Sequence, residues 1–185
     1  MTENNPNVQD LRSHRLPAGF RGKSAITVQL WWLVQSLLFH TSPQFMYGWR
    51  RWLLRIFGAK IGAGVLIRPS VRVTYPWRLE IGDHAWIGDF VELYTLDRIT
   101  IGDDAVVSQF SKLVTGTHDF EKPTFDMVTK PIVIEKQAWV SANCFVAPGV
   151  TVGRGAVALA CSLILKDVPE LMVVAGQPAT VKRHR

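Results

Sequence analysis

From Ile61 onward the chain repeats itself. Ile61-Gly62, Ile81-Gly82 and Ile101-Gly102 are spaced by twenty residues, and inside each block the period is six. Fifteen hexads can be written, beginning at 61, 67, 73, 81, 87, 93, 101, 107, 113, 134, 140, 146, 152, 158 and 164. The first residue is Ile, Leu or Val in fourteen of the fifteen, with Ala158 the exception. Those three types make up 49 of 185 residues, so chance would give about four. The fifth residue is small or β-branched in thirteen, with Trp77 and Asp97 the exceptions. A six-residue repeat of this composition predicts a parallel β-helix. Three short strands make one triangular coil, and each hexad supplies one side. The aliphatic residue points inward and stacks on its equivalent one coil away. The fifth points in near a corner, where only a small side chain fits, and Gly at the second position tolerates the tight turn. Five coils at the strand spacing of roughly 4.8 Å would make a prism about 24 Å long. Its open ends need covers, and the chain before Ile61 and after Pro169 is available for that.

This divides the chain into a lead and two helices at 1–60, the β-helix at 61–169 with a loop at 119–133, and a tail at 170–185. Residues 1–23 read as a polar, poorly ordered lead. Ser24 is the expected N-cap of a helix running to about Phe39, and a second helix is expected from about Gln44 to Phe57, ended by Gly58. Charge separates along the same line. Residues 1–60 hold eight Lys/Arg against Glu3 and Asp10, whereas residues 61–185 hold thirteen of each sign. A basic, apolar front end on a neutral body does not suit a nucleic-acid binder. The apolar run Ala25–Phe39 is shorter than the roughly 20 residues a spanning helix needs, and no secretory signal opens the chain, so a cytoplasmic protein is expected. Cys144 and Cys161 cannot form a disulfide framework or a zinc knuckle. Both are expected to be structural, with Cys144 as core filler.

The repeat breaks once in a large way. The hexad at 113–118 ends in Thr115-Gly116-Thr117-His118, and the next begins at Ile134. A regular solenoid has no need of the residues between, and loops on a rigid scaffold carry function. Of the five histidines, His14 and His184 fall in the expected tails, His40 ends a helix, and His84 sits at an outer position. His118 stands at the break. A three-histidine metal site needs a third, well-spaced histidine, so no metal is expected.

Beyond single hexads, an ordered set of motifs runs through the chain. It begins with Trp49-Arg50-Arg51 through Phe57-Gly58-Ala59-Lys60-Ile61-Gly62, then Tyr75-Pro76-Trp77, Ser108-Gln109 and Thr115-Gly116-Thr117-His118-Asp119. It continues with Pro131-Ile132, Trp139-Val140, Pro148-Gly149-Val150, Lys166-Asp167-Val168-Pro169 and Gly176-Gln177-Pro178-Ala179. Over about residues 30–183 the sequence resembles the hexapeptide-repeat acyltransferases, which fold as left-handed β-helices. Within them it resembles the O-acetyltransferases of colanic acid biosynthesis. It departs from their pattern at Ser141, usually Gly, and at Gln177, often Asn. The resemblance implies acetyl transfer from acetyl-CoA to a sugar hydroxyl in exopolysaccharide synthesis. The chemistry agrees: a hydroxyl needs a base at the moment of attack, and an imidazole titrates near the working pH. His118 is the expected catalytic base, with Asp119 or a carboxylate of a neighbouring subunit orienting its ring.

By the same resemblance, the CoA arm lies in a groove between prisms. Trp139, Ala142 and Ala160 would line it, and Lys166 and Arg183 would face phosphate. A groove walled by two prisms closes after three subunits, so a homotrimer is expected. Asp97, which breaks the small-residue rule, is the first candidate for acceptor contact; Glu92 and Asp119 follow. The aromatic, basic segment 24–57 has two readings. It packs on the first coil, or Arg50, Arg51 and Arg55 meet acidic lipid at the inner face of the membrane, where polysaccharide units are assembled on a lipid carrier. Two other functions compete: acetylation of a small acceptor such as serine or a drug, and a non-enzymatic β-helix scaffold. The scaffold gives no reason for a histidine beside a loop.

Overall fold

The computed structural model describes residues 8–185; residues 1–7, the start of the expected polar lead, lie outside it. The repeat forms a three-sided parallel β-helix. Face A carries Lys60–Ile61, Leu79–Ile81, Ile99–Ile101, Ile132–Ile134 and Thr151–Val152. Face B carries Leu66–Ile67, Trp86–Ile87, Val106–Val107, Trp139–Val140, Val157–Ala158 and Met172–Ala175. Face C carries Arg72–Val73, Glu92–Tyr94, Lys112–Val114, Phe145–Val146 and Leu163–Ile164. All fifteen hexad-initial residues are buried, Ala158 included.

The prism runs beyond five coils. Val168 bridges to Val152 on face A, and Met172–Ala175 adds a sixth rung to face B. The chain then turns back, and Thr180–His184 pairs antiparallel with Met172–Ala175. Hexad counting stops at 164 because this last coil no longer keeps the six-residue period. Its Val173 and Val174 are adjacent and both buried, Val174 alone in register with the inward Ala158, and the antiparallel ladder carries a bulge between them.

The tight turns do not fall on the second-position glycines. The turns are made at the fourth hexad position, where His84, Phe90, Asp104, Phe110, Gln137, Asn143 and Cys161 all have positive φ. The second-position glycines are needed for space instead. A Cβ on Gly88 would stand 2.6 Å from the backbone N of Gln109 one coil on.

One corner departs from the others. The side that follows face C has eight residues in the first two coils, which is why the blocks repeat at twenty. In those coils, and in the third with its longer excursion, Tyr75, Thr95 and Thr115 point inward, followed by Leu79, Ile99 and Ile132. Trp77, Asp97 and Thr117 are therefore not corner fillers. Asp97 is half-buried; its N–H donates to Thr115 Oγ1 and its carboxylate accepts from the Arg98 N–H.

The faces differ on their outer sides. Face A presents Lys60, Glu80, Thr100, Val133 and Thr151, and face C begins with Arg72, Glu92 and Lys112. Face B presents Leu66, Trp86, Val106, Trp139, Val157 and Val173, an uninterrupted apolar ladder.

Helix α1, Ala25–Val34, is capped by Ser24, whose side chain accepts from the Thr27 N–H. A π-helical turn, Gln35–Phe39, extends it. Helix α2 is Tyr47–Ile56. Together they close the first coil. Arg50, wholly buried, donates to the carbonyls of Ile67, Pro43 and Gln44 and to Ser42 Oγ. Arg51 donates to Val65 O, and Arg55 to Ile61 O and Gly62 O. Trp31 Nε1 donates to Val73 O, while Gln35 Oε1 accepts from Val73 N. A terminal coil has a row of unpaired backbone groups, and these side chains satisfy it. The arginines point at the prism, as the packing reading requires, and not outward as lipid contact would.

Candidate active site

The long excursion is a hairpin. Gly116–His118 pairs antiparallel with Met127–Thr129, so His118 lies opposite Met127. Lys122 Nζ ties its turn, 3.6 Å from Asp119 Oδ2 and 3.4 Å from Asp126 Oδ2. A hydrogen bond from Thr124 and then the Lys122 ammonium hold the Asp126 carboxyl below its usual range.

His118 is half-buried. Its Nδ1 stands 2.8 Å from Phe125 O. A carbonyl only accepts, so Nδ1 carries a proton, and in the neutral ring that leaves the lone pair on Nε2. The Phe125 ring stacks on the imidazole at 4.2 Å between centroids and 7° between planes. Ring tautomer and orientation are both fixed locally. The orienting role expected of Asp119 is therefore taken by the Phe125 carbonyl. Asp119 Oδ1 accepts from the Glu121 N–H at the turn instead.

His14, which reads from sequence as part of a tail, sits edge-on to His118 at 5.7 Å. Residues 8–22 form an ordered strap along this corner. Asp10 N donates to Pro123 O, His14 Nδ1 lies 3.2 Å from Thr124 O, and Trp77 Nε1 donates to Arg21 O. Arg78 donates to both Phe20 O and Leu96 O. Phe20 packs with Tyr75, Leu96 and Met127. A polar lead with no periodicity gives no sign of such contacts; the indole of Trp77, a residue that breaks the hexad rule, and the guanidinium of Arg78 beside it help to hold it.

On the same corner a groove of about 390 Å³ is lined by Phe20, Trp77, Arg78, Asp97, Arg98 and Thr129. Asp97 and His118 thus share one corner. Glu92 does not: it stands on the outer side of face C, 4.0 Å from Lys112 Nζ. A larger cavity, about 790 Å³, lies beside Trp86, Phe90, Ser108 and Phe110, along face B and the corner between B and C. Its one carboxylate, Asp89, is engaged by Arg68 and by the Ser70 hydroxyl, and no histidine lines it, so volume does not locate the chemistry.

The residues expected at CoA fall into separate places. Trp139 is exposed on face B and donates to Ser108 Oγ. Ala142 and Ala160 occupy the B–C corner of consecutive coils, where Cys161 N donates to Ala142 O. Lys166 lies beyond face C, on the side that carries the His118 hairpin in the third coil, exposed, and Arg183 sits on the return strand paired with Val173. Cys144 is buried, and burial pushes its thiol pKa up. Cys161 is exposed at its corner. Among the described residues no three His, Cys, Asp or Glu side chains are grouped to hold a metal, and no helix is long and apolar enough to cross a membrane.

No family model matches the chain. It is 53% identical over 178 residues to the Escherichia coli (strain K12) protein named for colanic acid biosynthesis acetyltransferase, WcaF, across 96% of this chain and 98% of that one. It is 29% identical over 138 residues to the galactoside O-acetyltransferase of the same organism, across 73% and 68%. Among solved structures, a hexapeptide-repeat acetyltransferase from Vibrio cholerae complexed with acetyl coenzyme A superposes with a TM-score of 0.81. It is 27% identical, across 88% of this chain and 91% of that one. A three-sided hexapeptide prism, a histidine held on a hairpin at its one broken corner and a near full-length match agree: the chain belongs to the hexapeptide-repeat acetyltransferases, in the colanic acid biosynthesis group.

Proposed function

We propose that the enzyme moves an acetyl group from acetyl-CoA to a sugar hydroxyl in exopolysaccharide synthesis, with His118 as general base. The observation that carries this reading is the imidazole itself, with Nδ1–H fixed on Phe125 O and Nε2 left without a partner among the described residues. Nε2 takes the hydroxyl proton as the oxygen attacks the thioester carbonyl. The tetrahedral intermediate collapses, the C–S bond breaks, and the imidazolium returns its proton to the leaving thiolate. A backbone N–H near the corner would hold the oxyanion. Transfer is direct, with no covalent acyl-enzyme.

The acceptor would enter the groove beside Asp97, whose carboxylate, with Arg98 and Trp77, suits a polyhydroxylated ring; Asp119, next to His118 in the chain, would share in this. Glu92, on another face, contributes to the site only through a neighbouring subunit. Trp139, Ala142 and Ala160 would line the pantetheine channel, with Lys166 and Arg183 meeting phosphate from either side of a subunit boundary. The apolar ladder on face B supports that boundary and a homotrimer. An active sample sedimenting as about three times 20.8 kDa agrees with this; one sedimenting as a single chain overturns it. Dependence on acetyl-CoA, a cytoplasmic metabolite, goes with a cytoplasmic site of action.

The test is release of CoA thiol from acetyl-CoA across nucleotide sugars, lipid-linked sugars, oligosaccharides and small hydroxyl compounds, with His118→Asn as the blank. Acceptor-dependent release confined to saccharides supports the reading. Turnover on serine or a drug-like hydroxyl alone would replace the acceptor class. Equal release by His118→Asn would remove the base.

A further inference from the structure

We infer that the outer face of the N-terminal cap is a lipid-docking surface. In this arrangement Ile26, Leu30, Leu33 and Leu37, with Trp52 and Ile56, rest in the headgroup–acyl boundary of an anionic bilayer. The inference goes beyond acetyl transfer and does not depend on it.

A helix on a globular protein normally turns one apolar stripe inward and a polar face to water. Helix α1 does not. Val28 and Trp31 are buried against the prism. On the opposite side Ile26, Leu30, Leu33 and Leu37 recur at intervals of four, three and four and are 80%, 50%, 55% and 58% exposed. On α2, Trp52 and Ile56 are 50% and 56% exposed, one turn apart. The two outer faces are joined: Trp49 Nε1 donates to Leu38 O and the Trp49 ring stacks on Trp52 at 5.0 Å. An exposed apolar surface of this extent on a soluble fold marks an interaction site.

Charge selects the occupant. Residues 11–79 contain eleven Lys/Arg and not one Asp or Glu. Lys60 pairs with Glu80 and Arg68 with Asp89, but the other cations leave this end net positive, and a second copy seated on the face would bring two like-charged ends together. A bilayer bearing anionic headgroups meets both features, the apolar stripe and the positive surround, and demands no shape complementarity. Lys23 is exposed one residue before the cap of α1, at the edge of the stripe. The helices are too short to span, so they would lie in the plane of the interface. Because Arg50, Arg51 and Arg55 are engaged by carbonyls of the first coil and its approach, apolar insertion supplies most of the affinity, and salt removes only a part of it.

The experiment is co-sedimentation of the full chain with vesicles of phosphatidylcholine and phosphatidylglycerol in equal parts, at low and high salt, without acetyl-CoA or acceptor. The parent should bind and largely persist at high salt. Leu30→Gln/Leu33→Gln, both exposed, should melt with the parent yet lose about tenfold in partition per leucine, about a hundredfold together. No binding by the parent at low salt overturns the inference. So does binding equal in the double variant, which would be charge alone. A vesicle-free assembly of the parent that the double variant dissolves would mark the face as a contact between copies and overturn it as well. None of these outcomes bears on acetyl transfer, which is read separately by thiol release.

Discussion

At the N-terminal end of the prism three arginines donate to the carbonyls of Ile61, Gly62, Val65 and Ile67. At the third-coil corner one imidazole donates to a single carbonyl and leaves its second nitrogen unengaged among the described residues. By composition the first region looks like a binding patch and the second like an isolated histidine. Their hydrogen bonds say the opposite. A guanidinium held on the carbonyls of the first coil and its approach, as Arg50 is in full and Arg51 and Arg55 in part, is turned away from a ligand, and its work is stability. An imidazole with a fixed donor and a free acceptor has one position for a proton to go.

Exchanging the two regions' losses is the sharpest way to break this contrast. His118→Ala should lower kcat by about 10²–10⁴-fold, the usual range for a general base, while the melting temperature stays with the parent. Turnover assays beside a thermal melt check both halves. Activity within threefold of the parent would make His118 another structural side chain.

Arg50→Ala should do the reverse. Burial pulls the Arg50 guanidinium below its ordinary pKa, and the carbonyls and hydroxyl around it are its compensation. Removing the side chain leaves those buried acceptors unpaired, a loss of about 3 kcal/mol or more. For a chain of this length that is roughly 6–12 °C in Tm. Below the new melting point, turnover per folded molecule should be unchanged. A variant that melts with the parent would mean the cap is not what closes the first coil.

The same contrast explains what could be read from residues alone. Every hexad-initial residue is buried because one inward aliphatic per side is a local, periodic demand. The break at His118 is legible as an interruption of that period. The lengthened corner is harder: a block of twenty says that one side has eight residues, but not that Leu79 and Ile99 displace Trp77 and Asp97 from the interior. Least legible are contacts made across the chain without a period. His14 reaches Thr124 over 110 residues, and the direction of Arg50, Arg51 and Arg55 depends on where the first coil ends. Composition records that cations are present; only the unpaired carbonyls say which way they point.

The smallest effect lies in the cap and concerns protons. His40 Nε2 is 3.1 Å from Val71 O, beside the rest of the first-coil edge. Burial lowers its pKa from the ordinary 6.5, the bond to Val71 O partly opposes this, and the nearby Arg72 cation adds to the lowering. The folded state therefore holds His40 neutral where the unfolded chain would already take up a proton. Protons then favour the unfolded state: the contribution is complete above about pH 6.5 and is lost as pH falls toward the depressed folded value. His40→Gln keeps an N–H for Val71 O but does not titrate. Melts of parent and variant should run parallel above neutrality, and below about pH 6.5 the parent should fall away from the variant. Parallel curves down to pH 5 would mean that His40 is solvated in the cap, and that the closure of the first coil is less complete than its hydrogen bonds describe.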